Sequence, residues 1–97
     1  MLEEIKLSLR MFHNELDADV QSNIDACMFD MQRVGISAEK AVSDSKDPLI
    51  RTAAKMYCKW QYDFEGKGEQ YHQAYENLRD ALSLHSPFKA KEEKADV

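Results

Sequence analysis

Residues 47–84 read DPLIRTAAKMYCKWQYDFEGKGEQYHQAYENLRDALSL, and their pattern decides the fold. Asp47 can accept from free backbone N–H groups as a helix N-cap, and Pro48 fits the first helical position because its missing N–H would be unpaired there anyway. Apolar residues then recur at Ile50, Ala53, Ala54, Tyr57, Trp60 or Gln61, and Phe64, the spacing of a helix with one buried stripe. Gly66 and Gly68 permit positive φ and predict the stop. A second helix restarts with Glu69 in its first turn, where negative charge suits the dipole. Its stripe is Tyr71, Tyr75, Leu78 and Leu82, with Ala74 and Ala81 at the edge. Two stripes separated by so few polar residues predict an antiparallel helical hairpin that carries most of the core.

Working outward, Leu2, Ile5 and Leu9 mark a short first helix from residue 2 to about 11, too short to stand without packing. Asn14 is the expected cap for the next helix. That helix, from about Glu15 to Val34, has the most regular pattern in the chain: Leu16, Val20, Ile24, Cys27, Met31 and Val34 alternate spacings of three and four. Asp17 and Asp19 in its first turn and Arg33 in its last suit the macrodipole, and Gly35 is the expected left-handed terminator. In the connector ISAEKAVSDSK (36–46), Ser37 caps one helical turn over Ala38–Val42, and Ser43–Ser45 favour local side-chain bonds. Pro87 ends the last helix. The expected fold is therefore all-α. It is a small bundle of about four helices (short first helix, long second helix, C-terminal hairpin), forming a single domain over 1–86. A charged, flexible tail over 87–97 follows, since KAKEEKADV has no apolar face. The expected core is Val20, Ile24, Cys27, Met31, Ile50, Tyr57, Trp60, Phe64, Tyr71, Tyr75, Leu78 and Leu82.

Ninety-seven residues build one core, not two. A net charge of −5 argues against a protein whose main task is gripping phosphates, which needs clustered Lys and Arg. It does not oppose DNA passing nearby. No apolar run approaches the ~20 residues of a membrane span, and the acid-bearing start MLEEIKLSLR is unlike a signal peptide, so a cytosolic product is expected. Cys27 and Cys58 lie in helical patterns without CxxC or Cys/His spacing and read as small buried thiols in a reducing compartment. Spacing alone gives no Cα separation, which leaves a disulfide between them open.

Chemistry is sought and not found. None of His13, His72 or His85 is set beside a cysteine by helical spacing; they fall at a helix junction, on a solvent face and at a helix end. Asp17 with Asp19 and Glu92 with Glu93 are sequence neighbours that would not face each other. DADVQSNID lacks the central glycine of a calcium loop, and GKGEQ lacks the spacing and the Lys-Ser/Thr ending of a phosphate loop. No enzyme, cofactor or metal is expected. Tyr57, Trp60, Tyr71 and Tyr75 read as core, with some hydroxyl or indole groups at a boundary that could border a subunit interface. Neither hairpin helix is basic enough for a helix-turn-helix DNA reader.

The 47–84 stretch, together with MLEEIKLSLRMFHNELDADVQSNIDACMFDMQRVGI at the start, resembles a family of small tailed-phage and prophage proteins over roughly residues 1–86. These are head–tail connector, or head-completion adaptor, proteins, often labelled as possible DNA-packaging proteins. The resemblance implies a structural virion protein, made in the host cytoplasm, that forms a dodecameric ring on the portal protein at the head–tail junction. Such a ring extends the DNA channel and carries a stopper or tail-completion protein, with DNA passing through unbound and no membrane involved. Two expectations accompany this reading. The tail, with Pro87, Phe88, Lys89 and Lys91, reaches the portal; subunit contacts use the outer faces of the second helix and hairpin, through Asp30, Arg51 and Lys59. The alternative is a small cytosolic helical module that binds a partner helix or strand in an apolar groove.

Overall fold

A computed structural model describes residues 1–90. Those residues form four α-helices: α1 (Leu2–Ser8), α2 (Asp17–Arg33), α3 (Pro48–Gln61) and α4 (Gly68–Leu84). The expected all-α bundle with a C-terminal hairpin is therefore observed. Most of the expected flexible tail, including Lys91, lies outside the described residues. α3 is central: α4 and α2 pack along it, and α1 crosses onto α2 and α3.

The α3 start follows its sequence signal, with the Asp47 carboxylate accepting the Leu49 N–H at 2.9 Å and Pro48 in the first turn. The α2 stripe is equally direct: Val20, Ile24, Cys27 and Met31 are fully buried. Leu16, expected in that stripe, instead stands at the cap position and is exposed, and Met28 takes a place in the core. Asn14 does not cap α2. Its side-chain oxygen accepts from Lys6, a buried ammonium that also pairs with Asp17 at 2.7 Å. A buried charge needs such partners, and these tie α1 to the start of α2.

Three helix ends are followed by a residue at positive φ. Behind α2, Gly35 has φ +103°, its N–H bonds to Gln32 O and the Ile36 N–H bonds to Met31 O, which is a Schellman closure. The same closure ends α1 earlier than expected, at Ser8, with Arg10 at φ +61° in the glycine position and the Met11 N–H on Lys6 O. α3 likewise stops at Gln61 rather than Phe64, because Asp63 turns to φ +47° and its carboxylate accepts the Gly68 N–H at 2.8 Å. Asp tolerates that conformation and competes for local backbone bonds. Gly66 does use positive φ, as expected; Gly68 does not. Gly68 is needed for room: a Cβ there would lie 2.7 Å from Asp63 Oδ1 and 3.2 Å from the Trp60 carbonyl.

The packed body continues past residue 86. Ser86–Phe88 form a 3₁₀ turn, Phe88 is buried, the Ser37 N–H bonds to Phe88 O, and the Ala90 N–H bonds to Gly35 O. Lys89 pairs with Ile36, which is buried in the connector, where Ser37 opens the expected turn. Of the expected core, Val20, Ile24, Cys27, Met31, Ile50, Tyr75 and Leu82 are buried. Tyr57, Trp60, Phe64, Tyr71 and Leu78 are only half-buried.

Candidate protein-binding surface

The half-buried aromatics have a common cause. α2 and α4 flank α3 without closing over it, so a groove opens between them, of about 420 Å³. Tyr57 and Trp60 of α3 and Tyr75 of α4 form its aromatic floor; Ala26, Phe29 and Arg33 of α2 face Glu76 and Arg79 of α4 across it. The floor is a packed aromatic array: Tyr57 meets Trp60 and Tyr75 edge-on at 5.3 and 5.2 Å, and Trp60 stacks on His72 at 3.9 Å. His72, expected on a solvent face, is thus half-buried, and its ring nitrogens face Glu76 at 2.9 Å and Glu69 at 3.7 Å.

Asp30 spans the groove at its base. The Tyr75 hydroxyl donates to it at 2.7 Å, Arg79 at 2.9 Å and Arg33 at 2.7 Å. Burial works against the Asp30 charge, but these donors outweigh it and hold its pKa below the usual carboxylate range. Burial would weaken the Arg79 cation, yet its bonds to Asp30 and Asp80 keep it firmly protonated. Burial pushes the Tyr75 hydroxyl and the Cys27 thiol well up, and Cys58 up to about 12, so these groups are protonated at neutral pH. Both thiols are free and buried, which answers the question that spacing left open. Among the described residues no cluster of His, Cys, Asp and Glu could hold a metal ion. No helix there is long and apolar enough to cross a membrane.

The residues expected at a subunit interface are all engaged within the chain itself. Asp30 is the node just described. Arg51 donates to Glu4 at 2.8 Å, and Lys59 lies over the rings of Phe64 and Tyr71 at 5.1 and 5.2 Å. Of the expected tail residues, Pro87 and Lys89 are exposed, whereas Phe88 is buried in the core of the chain beneath Lys40. Sequence reasoning passed over the exposed apolar side chains Leu7, Phe12, Phe29 and Leu84. Phe29 had a signal, since it lies off the α2 stripe and must face away from that core; Phe12 sits in a loop and had none.

A family model described as phage connector protein matches residues 1–88. The comparisons with curated proteins and with solved structures returned no match.

Proposed function

The chain belongs to the phage connector protein family, and from that premise we propose that it is a head–tail connector subunit that assembles as a ring on the portal vertex. There it extends the DNA channel and joins the filled head to a stopper or tail component, in a virion whose other head and tail proteins are its partners. The family match over nearly the whole described chain carries this reading. The physical features agree with it. The body is a compact helical unit, its outward-facing groove is floored by aromatic rings, and its net charge of −5 lets DNA slide past without capture.

Within this reading, subunit contacts use the outer faces of α2 and the hairpin, where Arg51 and Lys59 act by holding those faces in shape. The portal contact falls to Pro87, Lys89 and the segment from Lys91 onward, because Phe88 is committed to the core. Removing the gene from its phage should leave DNA-filled heads that do not join tails. Infectious particles formed at normal yield would overturn the proposal.

A further inference from the structure

We infer that His72 is a proton-operated clasp on the groove floor: as the imidazolium it closes one face of Trp60, and as the neutral ring it releases that face to solvent. Three contacts define the clasp. The imidazole plane lies 12° from that of the Trp60 indole with ring centroids 3.9 Å apart, so one indole face is covered. One turn to either side on α4, Nε2 stands 2.9 Å from Glu76 Oε2 and Nδ1 stands 3.7 Å from Glu69 Oε2. A neutral imidazole carries a single N–H, so a ring that donates to Glu76 turns a lone pair towards Glu69; the imidazolium offers an N–H to both. The negative face of the indole attracts the cation as well. All three contacts therefore weaken when the proton leaves. Glu69 is 90% exposed and Glu76 is 40% exposed, so Glu76 and Trp60 carry most of the hold.

The charged groups on the surrounding elements have partners of their own. On α3, Lys59 lies over the rings of Phe64 and Tyr71, and Tyr57 meets Trp60 edge-on. In the turn before α4, the Asp63 carboxylate accepts the Gly68 N–H. Across the groove on α2, Asp30 is held by Arg33, Arg79 and Tyr75. The turn over Ser86–Phe88 packs at the opposite end of α4, where His85 stands about 20 Å along the helix from His72. The proton on His72 is thus the variable at this point of the floor, and imidazole is the side chain that changes charge between about pH 5 and 8. Because Trp60 floors the groove, the aromatic surface presented there grows when that proton leaves and shrinks when it returns. The clasp belongs to the single chain and does not depend on ring assembly.

Trp60 is the chain's single tryptophan, so its fluorescence reports on this ring. In the purified full chain, emission should be low at about pH 5, where the stacked imidazolium quenches the indole, and should rise towards about pH 8. The lifetime-corrected quenching constant for acrylamide should rise over the same range, as the uncovered face meets the quencher. His72→Gln should hold both readings level, with helical circular dichroism confirming the fold. The double variant His13→Gln with His85→Gln should keep the wild-type profile, which assigns it to the one histidine left, whatever the fate of His72→Gln. Wild-type emission and acrylamide access that do not change with pH would overturn the clasp. So would a profile that persists in folded His72→Gln or vanishes in the double variant. Emission that changes while acrylamide access stays level would mean that the ring titrates in place without releasing Trp60, and equally overturns it.

Discussion

Phe88→Ala separates the two roles that its position near the C-terminus could give that side chain. Were Phe88 a free anchor for the portal, truncating it would leave the folded body untouched. The structure instead has it 5% exposed against Ile36, with Lys40 Nζ 5.2 Å above the ring and His85 5.7 Å away. Burying a Phe and then deleting its ring costs about 3–5 kcal/mol. The lower end applies here, because the site is at the edge of the bundle and can partly collapse. A chain of this size has a stability on the order of 5–15 kcal/mol, so about 3 kcal/mol is a large share. At about 4–8 °C per kcal/mol, Tm should fall by about 12–24 °C. Thermal melts followed by helical circular dichroism of wild type, Phe88→Ala and Phe88→Leu provide the assay, with Phe88→Leu losing clearly less. A Tm for Phe88→Ala within a degree or two of wild type would refute the packing and return Phe88 to the tail. The same reasoning fixes where a tail deletion must be cut. Stopping after Ser86 removes a core residue and four backbone bonds, two of them to Gly35 and Ser37, whereas stopping after Ala90 keeps the described packing.

Other perturbations probe separate parts of the account. Tyr75→Phe removes a donor to the charged Asp30 while both arginines remain, and should cost about 1.5 kcal/mol in urea unfolding; no change would mean that the hydroxyl adds nothing to the node. Gly35→Ala meets no atom within 4 Å, so its cost is backbone strain at φ +103°, about 1–2 kcal/mol, measurable in the same titration. The bonds from Lys55 and Arg51 hold Glu4 below its ordinary 4.5. A depressed folded pKa means that the unfolded chain binds more protons in that range. The stability due to Glu4 is then complete above 4.5 and lost as pH falls through the folded value. Melts from neutral pH down to about pH 3 should show this decline, and Glu4→Gln should flatten it; identical slopes would discount the ion pairs.

The four helices were legible because apolar periodicity marks each, with a side-chain cap to match it at α3. The Asp47–Pro48 start, the α2 stripe and the Gly35 stop each rest on a local interaction that a sequence displays. Ends closed without glycine were not legible: Arg10 and Asp63 adopt positive φ because Glu65 and the Gly68 N–H reward them, and those partners are defined only in the fold. Nor was the groove. Tyr57, Trp60 and Tyr71 have core spacing on their helices, but whether a third helix covers them depends on where α2 lies. The contacts within the chain made by the expected interface charges were hidden for a related reason, since Asp30 and Arg51 look like solvated surface until Tyr75, Arg79 and Glu4 are brought to them. Phe88 looked like part of a charged tail because the strand-like pairing of Ile36 with Lys89 spans a separation in sequence that no local pattern reports.

The most direct test of the connector reading is to mix the purified chain with DNA-filled heads that lack it, sediment the mixture, and image the heads by electron microscopy. The account predicts that the chain moves with the heads and adds a collar of density at the single portal vertex. Heads unchanged in outline, with the chain left folded and monomeric at the top of the gradient, would contradict it.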